Sequence, residues 1–301
     1  MNEAIAPRVA RKVAVVAHRG KTLGGGLDEL RALIDAEHAD EVAWYEVSTS
    51  RKAPGKVRKA LVRGCDLIVV WGGDGTVQRC ADVLAGTPAT MAIIPAGTAN
   101  LFARHLGIPR DLAEAVRIGF RGRLRSLDLG WINGEHFTVM AGVGFDAYMI
   151  DGARGRLKSR LGRVGYMWSG LRNFDRHRTR ARVKIDGKKW FTGRASCVLV
   201  GNVGTVFGAV DVFDDARTDD GWLNVGVSTA RGAVQWTRAM TRAFAGTADR
   251  SPFIQTARAK RISIKLDAPC AYELDGGARK QTTRLRARVV PAGLTVRVPD
   301  P

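Results

Sequence analysis

The sequence predicts a two-domain chain: an α/β domain with a mostly parallel sheet, followed by a largely antiparallel β domain. Three observations carry this reading. Apolar strand-like runs alternate with helical patterns from Lys12 to Leu127. The apolar run over 65–71 stops at Gly72-Gly73-Asp74-Gly75-Thr76, and helical spacing resumes over 77–84, the pattern of strand, tight turn and helix. Beyond about Asp128, Asn133-Gly134, Asp186-Gly187 and Asp275-Gly276 each lie between strand-like segments, and such dipeptides are the strongest short hairpin signal.

In order, the first domain reads as a strand over 13–17, a helix over 27–37, a strand over 42–47 and a short helix over 57–62. A strand over 67–71, a helix over 77–84 and a strand over 91–94 follow, then helices over 101–106 and 112–118. Such alternation implies a parallel sheet covered on both faces, with ligands bound at the carboxyl ends of the strands. In the second half 137–143, 181–185, 195–201 and 222–227 are β-type runs, while 156–171 and 233–244 have helical spacing. The division is a basic tail over 1–11, an α/β nucleotide-binding domain over 12–128 and a β-rich substrate domain over 129–301. The boundary, near 126–130, is a change of pattern and not a linker.

Composition is that of a globular protein, 45% hydrophobic and 26% charged over 301 residues. No apolar run approaches a membrane span, and the N-terminal apolar patch over 13–17 is too short for a signal sequence. Cys65, Cys80, Cys197 and Cys270 lie far apart with no CxxC pair, which predicts reduced thiols in a cytoplasmic protein. The net charge is +19, and residues 128–301 contribute +13 of it, 29 Lys and Arg less 16 Asp and Glu. Nucleic acid, an anionic membrane surface and a compositional bias toward Arg all account for such charge. No interleaved basic-aromatic motif points to nucleic acid.

Glycines let a backbone approach a ligand closely, and the following helix offers unpaired N–H groups and a positive dipole end. Gly72 to Thr76 therefore reads as a phosphate cradle carrying a carboxylate, with a structural turn as the plain alternative. A second loop, Pro95-Ala96-Gly97-Thr98-Ala99-Asn100, also lies between strand and helix. Thr98 and Asn100 suit either a helix cap or a ligand contact. Arg104 suits either a solvated helix face or a phosphate contact.

GGDGT followed by PAGTANLFARHLGIP resembles the diacylglycerol kinase catalytic domain family, which includes bacterial lipid kinases and sphingosine kinases. Met140 to Ala147, Leu161 to Tyr166, Asp215-Ala216, Asp219-Asp220-Gly221 and Leu274-Asp275-Gly276 continue the pattern in order. The resemblance implies a fold like that of NAD kinase and phosphofructokinase. It implies transfer of the γ-phosphoryl group of ATP, with Mg²⁺, to the hydroxyl of diacylglycerol or a related lipid. Gly72, Gly73, Asp74, Gly75, Thr76, Thr98 and Asn100 would bind the nucleotide. Asp275 would be the general base, although Asp-Gly is also an ordinary hairpin turn. Asp215 and Asp220 match positions that hold a structural Mg²⁺ in related kinases, a solvated acidic loop being the alternative.

Two departures stand out. The family's DGE motif reads Asp275-Gly276-Gly277 here, and Glu273, two residues earlier, would share the face of Asp275 on a regular strand. The family's Asn-Pro first loop is replaced by Ala17-His18-Arg19-Gly20-Lys21 before Gly24-Gly25-Gly26, with His18 read as a loop residue. Basic residues beside Leu157, Trp168 and Phe174 over 154–182 suit peripheral contact with the inner, anionic membrane face, or a helix packed into the β domain. An oligomer is compatible with all of this. A NAD kinase-like small-molecule kinase and a catalytically degenerate membrane-binding member are the alternatives.

Overall fold

A computed structural model describes residues 12–144, 178–206, 210–213, 216–244 and 251–301. They form two compact units. One comprises residues up to Leu129 together with Pro291–Pro301, the other Gly130–Val290.

The first unit is built on strands β1 (Lys12–His18), β2 (Glu41–Val47), β3 (Leu67–Gly72) and β4 (Thr90–Pro95), in the order β2-β1-β3-β4 and all parallel. Every residue of β3 is buried, which a continuous run of Leu, Ile, Val and Trp permits when both sheet faces are covered. Helices α2 (Ala53–Val62) and α3 (Asp74–Leu84) pack together over β1 and β3, and α1 (Gly26–Asp35) and α5 (Leu112–Arg121) pack together beside β4. Between them α4 (Leu101–His105) makes barely more than one turn. Sequence spacing starts α2 at 57, whereas the helix begins at Ala53. Its proline sits in the first turn, where a missing N–H costs nothing.

The second unit is an antiparallel sandwich. Its strands begin with β5 (Arg123–Ile132), which enters from the first unit, β6 (Glu135–Phe137), β7 (Met140–Val143), β8 (Thr179–Ile185), β9 (Lys188–Ala195) and β10 (Cys197–Gly201). After the short pair β11 (Thr205–Val206) and β12 (Val210–Asp211) come β13 (Leu223–Ser228), helix α6 (Gly232–Phe244), β14 (Ile254–Ala259) and β15 (Arg261–Cys270). The chain ends with β16 (Tyr272–Leu274), β17 (Gly277–Ala278) and β18 (Thr282–Val298). One sheet has the order β14-β13-β10-β7-β16-β17, and β18-β15-β8-β9 run antiparallel in the other. Phe137, Val183, Val200, Val225, Ile264 and Leu285 belong to the core of this unit.

All three Gly-containing dipeptides form two-residue hairpins, closing Ile132 on Glu135, Ile185 on Lys188 and Leu274 on Gly277. In each, both central residues have positive φ (46° and 102°, 48° and 86°, 45° and 80°), the turn whose twist matches that of the strands.

One expected strand changes. The run 137–143 is not one strand, because pairing breaks at Thr138 and Val139. The two units divide between Leu129 and Gly130, within β5, and residues 291–301 group with the first unit, where Thr295 and Val296 pair in parallel with β4. A linear division misses this because β18 is a single strand serving two cores. The helical run 156–171 and most of the basic segment 154–182 lie outside the described residues.

Candidate active site

Each glycine loop follows the carboxyl end of a parallel strand. At the first, α3 begins at Asp74 with Gly73 as N-cap in extended conformation and no side-chain cap. The N-terminus of this helix is therefore left to backbone and solvent, an arrangement suited to anions. Gly75 is exposed, Gly73 and Asp74 are half-buried, and Gly72 and Thr76 are buried. A Cβ on Gly72 would meet the Thr76 Cβ at 2.6 Å, so these two residues pack on each other.

The two loops touch. A Cβ on Gly73 would lie 3.1 Å from the Gly97 Cα, and one on Gly97 would lie 2.5 Å from the Gly73 Cα. Gly73 and Gly97 are thus needed for one loop to meet the other, whereas a Cβ on Gly75 has only the Ser50 Oγ near, at 4.0 Å. Asp74 completes the join. Its Oδ1 accepts from the Leu101 N–H at 2.6 Å, capping α4 from another loop. Burial pushes the Asp74 carboxyl above its ordinary value, opposed by the N–H groups of Leu101, Asn100 and Phe102.

Asn100 does not cap its own helix. Its Oδ1 accepts from Gly97 N at 2.9 Å, and its Nδ2 donates to Pro95 O at 3.0 Å and Gly97 O at 2.9 Å. It is buried, with φ of 49°, a left-handed conformation that Asn tolerates better than most residues. It therefore fixes the loop from inside, while Thr98 remains exposed at its tip.

The earlier glycine loop is occupied by the chain's own anion. Gly25 N–H donates to Glu29, and a Cβ on Gly24 would meet the same carboxylate oxygen at 2.6 Å. His18 Nδ1 accepts from Gly20 N at 3.1 Å, consistent with a loop-closing residue.

Asp275 belongs to the second unit and is buried. One carboxylate oxygen accepts from Thr138 N at 2.6 Å and Thr138 Oγ1 at 2.7 Å, the other from Val139 N at 2.9 Å and Met140 N at 2.8 Å. Those four donors account for the four lone-pair sites of a carboxylate. They also explain the break between β6 and β7, where three successive N–H groups turn to one side chain. Asn202 holds the opposite side, donating to Thr138 O through Nδ2 at 3.0 Å and to Val139 O through its backbone at 2.8 Å. Burial pushes the Asp275 carboxyl up to about 6, against the pull of these donors.

Glu273 is buried on β16, but the strand ends at Leu274 and Asp275 is left-handed, so the expected alternation of faces stops between them. Gly277 lies beneath Arg279, whose guanidinium donates to Gly277 O at 2.9 Å and to both carboxylate oxygens of Glu135 at 2.7 Å. A Cβ at 277 would meet that guanidinium at 2.8 Å.

Asp215 lies outside the described residues. Asp220 accepts from Trp222 N at 3.0 Å and pairs with Arg258 through its other oxygen. Asp220 and Asp275 are not brought together: β10 and β7 separate β13 from β16, three strand spacings or about 14 Å. Among the described residues no group of three or more His, Cys, Asp or Glu converges on a point.

Residues 15–132 match the diacylglycerol kinase catalytic domain, and residues 139–298 match the YegS C-terminal NAD kinase beta sandwich-like domain. The chain is 31% identical to the diacylglycerol kinase of Bacillus subtilis over 78% of its length and 80% of the relative's. The chain belongs to the diacylglycerol kinase family. It is also 31% identical to a Pseudomonas aeruginosa protein described as a YegS-like lipid kinase, over 96% of this chain and 94% of that one. A Bacillus anthracis structure assigned as a diacylglycerol kinase superposes with TM-score 0.80 and 25% identity over 96% of this chain and 97% of that one. A NAD kinase from Archaeoglobus fulgidus in complex with ATP shares the fold, with TM-score 0.50 and 11% identity over 95% and 93% of the two chains.

Within this kinase family the glycine loops are where the sequence motifs place them, at the ends of β3 and β4. Sequence reasoning missed Thr138 and Asn202, which hold the irregular segment under Asp275. A Thr inside an apolar run was the only local sign of it. It also missed Glu29, whose reach back to Gly25 follows from an acidic residue in the first turn of a helix behind glycines.

Proposed function

We propose that the chain transfers the γ-phosphoryl group of ATP to a hydroxyl of diacylglycerol or a related lipid, at the cytoplasmic face of an anionic membrane. The reading is carried by one observation: Gly73 and Gly97, from two loops at the ends of neighbouring parallel strands, meet backbone to backbone beside the uncapped start of α3. Phosphoryl transfer is largely positioning and charge neutralisation, and backbone N–H groups at a rigid helix start supply both. Gly75 gives a phosphate its closest access, Asp74 holds the second loop against the first, Asn100 fixes the second loop from inside, and Thr98 stands exposed at that loop's tip. Mg²⁺ bound with the nucleotide would supply further neutralisation of phosphate charge.

Asp275 is the proposed base, and it acts only after releasing one of its four donors. Thr138→Val removes the hydroxyl donor and leaves the three backbone donors, one on one carboxylate oxygen and two on the other. Phosphorylation of diacylglycerol by labelled ATP should persist in Thr138→Val and vanish in Asp275→Asn. Retained turnover in Asp275→Asn refutes the base assignment. Absence of any turnover by the wild-type protein, against a panel of lipids and against NAD, refutes the kinase reading itself.

A structural Mg²⁺ on Asp215 and Asp220 requires Asp220 to share its carboxylate with, or give it up from, Arg258. Without nucleotide, Mg²⁺ should raise the melting temperature of the wild-type protein and not that of Asp220→Asn. Equal shifts in both proteins exclude this site.

A further inference from the structure

The outward face of β18-β15-β8-β9, within the second unit, carries one sign of charge. Inward residues alternate with outward ones: Ile262, Ile264 and Leu266 of β15 are buried, and Arg261, Ser263 and Lys265 are exposed. Register fixes their neighbours. Arg261 lies across from Arg288, and Ser263 lies between Lys184 and Arg286. Lys265 lies between Arg182 and Arg284. At the β8–β9 edge Arg180 faces Arg194 and Lys184 faces Lys189. The cations number three on β8, two on β9, two on β15 and three on β18, ten in all, and every one is exposed.

Asp267 is the one carboxylate on this face, and it already accepts from Thr179 Oγ1 and Arg180 N. Among the described residues, none of the ten cations takes part in a salt bridge. Like charges directly opposite on neighbouring strands repel, so the sheet holds these pairs at a cost to its own pairing. Outward residues recur about every 7 Å along a strand and 5 Å between strands, which spreads the charge as a flat two-dimensional array.

We propose that this sheet face docks on an anionic lipid bilayer. A planar charge array matches a planar anionic surface. The outward positions of the four strands carry no aromatic side chain on which nucleic acid bases could stack: Trp190 of β9 packs against the core, and Trp131 of the adjoining β5 already has the Arg288 guanidinium over its ring, 5.0 Å from the centroid. The proposal rests on the lipid-kinase reading for its purpose, and on the register alone for its charge.

The test is co-sedimentation of the full chain with phosphatidylcholine vesicles containing or lacking 30% (about a third) phosphatidylglycerol. The wild-type protein should sediment with the anionic vesicles only, and less as salt rises. Arg182→Glu/Lys265→Glu/Arg284→Glu should lose roughly 100-fold or more in partition, at about fivefold for each cation removed. The corresponding triple Gln variant should lose less, and Arg58→Glu/Lys59→Glu on α2 should bind as the wild type. Unchanged vesicle binding by a triple Glu variant with native circular dichroism overturns the proposal. So does tighter binding of a short RNA that this variant abolishes while vesicle binding stays. Diacylglycerol in neutral detergent micelles separates the two readings. Loss of vesicle binding with no phosphorylation by any protein leaves the docking face standing and removes the kinase.

Discussion

Asp275 is held by more donors than any other side chain described at the site, and this decides how it responds to pH. Burial raises its carboxyl from an ordinary value near 3.8 to about 6. A folded-state value above the unfolded one means that the folded protein binds the proton more tightly between those limits. Its contribution to stability is then fully present below pH 3.8 and is lost as pH rises to 6. Denaturant unfolding of wild type and Asp275→Asn across this range should show the wild-type advantage shrinking by about 3 kcal/mol. A growing advantage would mean that the four donors outweigh burial. Glycine substitutions divide in the same way. Gly97→Ala drives a Cβ into Gly73 and should cost about 1–3 kcal/mol in unfolding free energy, as overpacking does. Gly75→Ala has space and should change stability by less than about 0.5 kcal/mol, while weakening ATP binding measured by calorimetry.

At the level of elements, the same turn is used three times with different consequences. The Asn133 side chain clips Arg284 O and Arg286 N, the Asp186 side chain accepts from Lys260 N and Arg261 N, and Asp275 clips the segment 138–140. In each case a turn residue also fastens a distant strand. The first two clips are exposed and the third is buried; the second sits at Lys260, between β14 and β15, and the third between β6 and β7. The loop of Asn100 is the counterpart in the first unit. Asn100→Ala removes three buried hydrogen bonds and should lower unfolding free energy by about 3 kcal/mol or more, measured by denaturant titration. The loop positions were legible from glycine spacing and apolar runs. The contact between them was not, because nothing local says that Gly73 will face Gly97.

For the whole chain, a net charge of +19 means self-repulsion in the compact state. Raising the ionic strength from about 10 mM to 150 mM shortens the screening length from about 30 Å to 8 Å, so the melting temperature should rise with sodium chloride over this range. A fall would mean that the surface ion pairs, such as Arg31 with Glu46 and Arg117 with Glu114, dominate instead. The described helices contain none long and apolar enough to cross a membrane. Fold class was readable at this scale because each domain has its own periodicity, alternation of strand and helix in one and hairpin dipeptides in the other. The return of residues 291–301 to the first unit was hidden, since Thr295 and Val296 pair with β4, a strand far away in the chain.

Local chemistry in the sequence determined β1 to β4, helices α1 to α6, the three hairpins, both glycine loops and the family. These are consequences of side-chain periodicity and of backbone conformations that only a few residue types adopt. Tertiary structure decided what the loops are for. It joined Gly73 to Gly97, turned Asp74 onto α4, surrounded Asp275 with four donors and laid ten cations on one face. Each of these depends on a partner far away in the chain, whose distance and direction are fixed only when the sheets assemble.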